Sequence, residues 1–85
     1  MNRYWYSTCH NCHHQGRLFI MKNCDTGKLY LHCDECESGW DDPARINDPS
    51  ARYLTLDTEF DADYPTLDEI RLSGWQHFAI HTVSI

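Results

Sequence analysis

The sequence predicts a small β-rich α+β fold: a hairpin with paired cysteines at its ends, extended by further strands and one short C-terminal helix. Three observations predict it. Two C-x2-C pairs, Cys9/Cys12 and Cys33/Cys36, bracket a stretch of β-formers that turns at Asn23–Gly27. A period of two runs through Leu54–Tyr64. A helix start signal stands at Thr66–Glu69. With 85 residues the chain is read as a single domain, 1–85, comprising the hairpin region 4–40 and a second part, 41–85. A chain this short buries only roughly 60–65% of the surface it exposes when unfolded, so a metal or disulfide commonly supplements its core.

Taken in order, Tyr4-Trp5-Tyr6-Ser7-Thr8 is rich in residues that suit a pleated surface and predicts a first strand. Gly16–Lys22 predicts a second. Asn23-Cys24-Asp25-Thr26-Gly27 has the Asn, Asp and Gly of a hairpin turn. Lys28–Cys33 alternates, with Leu29 and Leu31 on one face. The steps Asp42-Pro43 and Asp48-Pro49 make 41–50 a turn-rich connection, with room for one helical turn at Pro43–Ile46. From 54 to 64, Leu54, Leu56, Thr58, Phe60, Ala62 and Tyr64 fall on one face of an expected strand, and Asp57, Glu59, Asp61 and Asp63 on the other. Extended, that strand sets neighbouring carboxylates roughly 6.5–7 Å apart. Thr66 with Glu69 three residues on forms a capping box, Asp68 and Glu69 suit the positive helix end, and Gly74 is the stop, giving a helix near 66–73. Ile80–Ile85 predicts a last strand.

The N-terminal run Met1–Tyr6 has no apolar segment of a secretory signal, and Leu18–Met21 is far shorter than the roughly 20 apolar residues that span a bilayer. The expected location is the cytoplasm. In a reducing compartment cysteine pairs bind metal more readily than they form disulfides, and an odd count of 5 fits a disulfide framework poorly. Cys9, Cys12, Cys33 and Cys36 are therefore expected to hold one structural Zn2+, whose tetrahedral preference four thiolates satisfy. The hairpin brings the two pairs together. Iron is the alternative ion, and one of His10, His13, His14 or His32 replacing a cysteine is the alternative ligand. Cys24, mid-hairpin, is read as a loop or small core thiol, with a reactive thiol as the alternative.

On these residues, Cys9-His10-Asn11-Cys12 and Cys33-Asp34-Glu35-Cys36 with a β-hairpin between, the chain resembles the zinc-ribbon family over residues 4–40. Many ribbons have Gly directly after the second cysteine of each pair; here His13 and Glu37 stand there, and Gly16 and Gly39 are displaced. Further on, Thr66-Leu67-Asp68-Glu69-Ile70 with Gly74-Trp75 is similar to the C-terminal ends of small bacterial immunity-type proteins, a resemblance that implies a small acidic inhibitor of a toxin.

The formal net charge of −6 is unevenly spread: residues 1–33 carry +3, 34–69 carry −10 and 70–85 carry +1. A chain this acidic is repelled by phosphate backbones unless a local basic patch wins. No Walker loop, H-E-x-x-H, G-x-S-x-G or G-x-G-x-x-G occurs. The run Asp57–Asp63 lacks the Gly and Glu of a calcium loop. The expectation is a non-enzymatic binding module that engages a basic protein partner through Asp57, Glu59, Asp61 and Asp63, with Trp40 and Trp75 as exposed anchors. The alternative is a nucleic-acid-binding or transcription-associated protein using Arg3, Arg17, Lys22 and Lys28 beside Tyr4, Trp5 and Tyr30. A subunit of a larger assembly is a third reading.

Overall fold

The computed structural model describes residues 2–84. Its centre is the hairpin of β2 (Arg17–Asn23) and β3 (Leu29–Cys33), paired antiparallel from Leu18 opposite Cys33 to Lys22 opposite Leu29. Asn23 closes the turn: its carbonyl accepts from Gly27 and its side chain from Asp25, and Gly27 takes the left-handed φ of 76° that glycine tolerates. β1 (Asn2–Thr8) pairs with the other edge of β2, slipping register by one residue between Trp5 and Thr8. β4 (Ser38–Trp40) follows the second cysteine pair and lies against β3.

The remaining strands extend this sheet. β5 (Tyr53–Leu54) adds to β4, β6 (Ala62–Asp63) pairs the turn end of β2, and β7 (His81–Ser84) lies along β1. The result is a seven-stranded antiparallel sheet of order β5-β4-β3-β2-β1-β7, with β6 to one side. One short helix, α1 (Leu67–Leu72), precedes β7. The predicted capping box is present in full: Thr66 Oγ1 accepts from the Glu69 N–H, and Glu69 Oε1 accepts from the Thr66 N–H. Gly74 stops the helix at a φ of 78°. Short 3-10 turns stand at Pro43–Arg45, as expected, and at Pro49–Ala51, each started by an Asp whose carboxylate accepts a backbone N–H. The last strand agrees with expectation through Ser84; Ile85 lies outside the described residues.

Strand alternation places Leu18, Ile20, Leu29, Leu31 and Trp40 on one face, and these form the core. Tyr4, Tyr6, Trp75 and Phe78 pack against it, and α1 contributes Ile70, fully buried. Burying an Ile side chain contributes roughly 1.5–3 kcal/mol, enough to dock a helix too short to stand alone. The opposite face is aromatic: Trp5 stacks on His81 at 4.0 Å, Tyr64 meets Phe19 edge-on, and Phe60 meets Tyr30 edge-on.

The expected long strand over Leu54–Tyr64 is not formed. Only Tyr53–Leu54 and Ala62–Asp63 are strand, and Thr55–Asp57 is a 3-10 turn. The threonines redirect the backbone. Thr55 Oγ1 donates to the Glu37 carbonyl at 2.9 Å, and Thr58 Oγ1 donates to the Thr55 carbonyl at 2.6 Å. The Thr58 bond is local and competes with a strand ladder, while the Thr55 bond ties the segment back to Glu37 beside β4. Phe60 and Tyr64 still reach the sheet, but Leu54 is 41% exposed and Leu56 is 75% exposed, against the expected apolar inner face.

Candidate metal centre

β1 runs into Cys9 and β3 ends at Cys33, so each cysteine pair sits where a strand gives way to a tight turn. The hairpin register sets Cys33 opposite Leu18, and Cys9 donates its N–H to Gly16 O at 2.9 Å, which draws the first turn onto the base of β2. The second turn is tied to the same place: Arg17 N donates to Asp34 Oδ1 at 2.8 Å and Asp34 N to Arg17 O at 3.2 Å. These bonds bring the sulfurs of Cys9, Cys12, Cys33 and Cys36 within 4.8 Å of one another. Cys9 to Cys36 and Cys12 to Cys33 are each 3.7 Å. A tetrahedron with metal–sulfur bonds near 2.3 Å has edges of about 3.8 Å, so the sulfurs fit the corners around one ion. Among the described residues these are the one group of His, Cys, Asp or Glu placed to hold a metal. The four predicted ligands are thus brought together, without any histidine.

The two turns show why the residues after each pair matter. His13 has a φ of 55° and Glu37 a φ of 60°, the left-handed conformation that glycine adopts more cheaply. The cysteine-pair turn therefore keeps its usual backbone shape although glycine is absent from both positions. Gly16 has a separate reason to be glycine: a Cβ there would stand 2.3 Å from Cys33 Sγ. Its N–H donates to Cys12 Sγ at 3.3 Å.

Around the sulfurs lies a set of donors. The N–H groups of Glu35 and Cys36 each reach Cys33 Sγ at 3.5 Å. Cys36 Sγ lies 3.1 Å from Ser38 Oγ and receives Asn11 Nδ2 at 3.6 Å. Ser38 is fully buried, and its oxygen already accepts from Arg52 Nε at 2.7 Å and Asn11 Nδ2 at 3.3 Å. With both acceptor positions filled, the Ser38 hydroxyl donates to Cys36 Sγ. Arg52 thereby passes positive charge toward the cluster through one hydroxyl. Sequence reasoning missed Asn11, Ser38 and Arg52; Arg52, one of two arginines within a strongly acidic stretch, was the available signal.

The thiols differ as free groups. Burial pushes Cys9 and Cys33 up. Burial opposes ionisation of Cys36 as well, but the Ser38 hydroxyl and Asn11 amide outweigh it and lower that thiol to about 6. Four thiolates in so small a volume require a cation between them, since the ion is the largest local charge and deprotonates the thiols that bind it.

The other expected site residues are not in one place. Asp57, Glu59, Asp61 and Asp63 are all exposed, but they follow a bent connector and form no straight row. Trp40 is 2% exposed and belongs to the core, opposite Leu31, so it is no surface anchor. Trp75 is half-buried, packed edge-on to Phe78. Of the basic residues, Lys22 binds Glu69 at 2.6 Å and Arg17 lies 3.5 Å from Asp34, while Arg3 stacks 4.0 Å over Tyr64. Cys24 is exposed in the hairpin turn. No helix is long and apolar enough to cross a membrane. Comparison with protein-family models, curated proteins and solved structures finds no match, and the four-sulfur geometry alone establishes a site able to hold a metal ion.

Proposed function

We propose that this chain is a zinc-ribbon binding module, non-enzymatic, that engages a basic protein partner in the manner of a small acidic inhibitor or immunity-type protein. Zinc is the ion that suits four thiolates in a tetrahedron, and a tetrahedral ion held by all four has no open position for a reacting water. The centre is then a staple.

The observation that supports a basic partner is the connector. Asp57, Glu59, Asp61 and Asp63 are exposed, and among the described residues none of the four is in an ion pair. Pairing of β5 with β4 and of β6 with β2 pins both ends of this segment. Leu56, 75% exposed, stands among the carboxylates. An apolar side chain collared by like charges suits a cationic surface with a small hydrophobic recess, the charges steering encounter and the leucine anchoring contact. Leu56 takes the anchor role that the core position denies to Trp40.

The test is affinity capture from a cell extract at low salt, comparing the native chain with a quadruple variant, Asp57→Lys, Glu59→Lys, Asp61→Lys and Asp63→Lys. The expected result is a basic protein recovered by the native chain, released by salt and missing with the variant. Recovery that ignores the variant, or no partner at all, rejects the reading.

One observation favours nucleic acid as a second reading: the Arg17 guanidinium stands 5.7 Å and 5.1 Å over the rings of Trp5 and Phe19, beside the Trp5–His81 stack. Stacked rings with a cation suit single strands. Tight, salt-sensitive mobility shift with mixed DNA and RNA would reverse the order of the two readings.

A further inference from the structure

A depression of about 260 Å3 opens beside the metal centre, lined by His10, Asn11, Trp40, Asn47 and Arg52, with Ile46 and Pro49 as an apolar wall. Its polar lining is unusual for this half of the molecule. Residues 34–69 carry a net −10, yet no carboxylate lines the depression. The groups present are an arginine, an indole, two amides and an imidazole, all able to donate.

Two of them lack the partners their chemistry asks for. Trp40 is 2% exposed, and its Nε1–H is buried without a hydrogen-bond acceptor. An indole N–H can only donate, and a buried donor left unmade is costly until an acceptor reaches it. Arg52 uses Nε on Ser38, and among the described residues no carboxylate comes within 4.0 Å of its guanidinium.

We propose that this depression binds the oxyanion of a small molecule, a carboxylate or a phosphate, with Arg52 supplying the charge and Trp40 Nε1–H a directed hydrogen bond. Asn47 offers a further amide donor, and Ile46 with Pro49 accommodates a short apolar portion of the ligand. Arg52 then faces two ways: Nε steadies the cysteine cluster through Ser38, and the rest of the guanidinium serves the ligand. This site is independent of the partner proposed for the acidic connector, which lies on other residues.

The experiment follows the three indole N–H resonances of the 15N-labelled, metal-loaded full chain while sodium phosphate or sodium acetate is added, with sodium chloride at matched ionic strength as reference. The expected result is a saturable shift of the Trp40 resonance, with Trp5 and Trp75 unmoved. Saturation by phosphate alone or by acetate alone supports the proposal and names the oxyanion. Asn47→Asp, which adds a carboxylate to an exposed lining residue outside the cysteine cluster, is expected to weaken binding about tenfold or more, as is Arg52→Gln. Metal content is read on both variants. If Arg52→Gln also sheds the ion, Asn47→Asp decides alone. A shift reproduced by chloride, no saturable shift, or unchanged binding in Asn47→Asp overturns the proposal.

Discussion

Residues 2–40 and residues 41–64 are held by different means. In the first region β1, β2, β3 and β4 lie side by side, every strand edge meets another strand, and Leu18, Ile20, Leu31 and Trp40 fill one face. Four sulfurs then close the open end. In the second region the backbone changes direction every few residues, its bonds are turns capped by Asp48, Thr55 and Thr58, and it meets the sheet through two-residue pairings, two aromatic rings, the packing of Ile46 and Ala51, and the Arg52–Ser38 bond. The first region is fixed by many cooperative contacts that lose strength together. The second is fixed by separate small ones, and this leaves its carboxylates and Leu56 at the surface. Rigidity sits at the cysteine cluster and the strands it joins, and the exposed carboxylates sit on the connector.

The largest break in that comparison comes from the cluster. A structural ion of this kind contributes roughly 10–16 kcal/mol of apparent binding energy, against a net stability of about 5–15 kcal/mol for a whole domain. Cys33→Ser, or a strong chelator, is expected to unfold the chain, seen as lost near-ultraviolet circular dichroism. Cys24→Ser, outside the cluster, is expected to leave the thermal midpoint unchanged. A metal-free chain that keeps its native spectrum would show the sheet to be self-sufficient.

Next in size is a matched pair of leucines. Leu31→Ala deletes a fully buried side chain and is expected to cost about 3 kcal/mol by chemical denaturation with the metal retained. Leu56→Ala, at 75% exposure, is expected to stay within about 0.5 kcal/mol of the native chain. Similar costs at the two positions would erase the distinction between the regions.

The cysteine-pair turns give a smaller, opposite effect. His13 holds a left-handed backbone at a φ of 55°. Relieving that strain with glycine outweighs glycine's extra unfolded-state freedom, so His13→Gly is expected to stabilise by about 0.5–1 kcal/mol. A destabilised variant would mean that the imidazole contributes more than its backbone costs.

The smallest effect is a pH dependence at the Pro49–Ala51 turn of the second region. Hydrogen bonds from the Ser50 hydroxyl and the Arg45 guanidinium hold the Asp48 carboxyl down at about 2. A depressed carboxyl stabilises above its ordinary pKa, about 3.9, and loses that contribution as pH falls toward the folded value. Denaturation with excess metal is expected to show native and Asp48→Asn chains differing by a constant amount from pH 7 to about 5, and converging below about 4. A gap that does not narrow with acid would remove Asp48 from the account.

What could be read from the chain follows the same division. The cysteine spacing, the Asn23–Gly27 turn, the Thr66–Glu69 capping box and the Gly74 stop are local codes, and each appears as read. The alternation at Leu54–Tyr64 was equally regular and misled, because a period of two marks a strand only if a partner edge is there to pair with it. Here the Thr58 hydroxyl offered a nearer bond, and the Thr55 hydroxyl bound the Glu37 carbonyl. Trp40 misled for the complementary reason: whether an aromatic residue is core or surface depends on what lies across the sheet, and Leu31 lies there.

By itself the sequence determined the two cysteine pairs, the hairpin between them, the helix and its two ends, since each depends on residues a few positions apart. Tertiary structure alone decided that Gly16 must leave room for the Cys33 sulfur, that Ser38 turns its hydroxyl to Cys36, and that Arg52 backs it. Ser38 and Cys36 are near neighbours, but what turns the hydroxyl is Arg52, 14 positions on, and Asn11, 27 positions back. The Gly16 constraint comes from a sulfur in another strand. Folding brings these together, and no local pattern encodes such a distance.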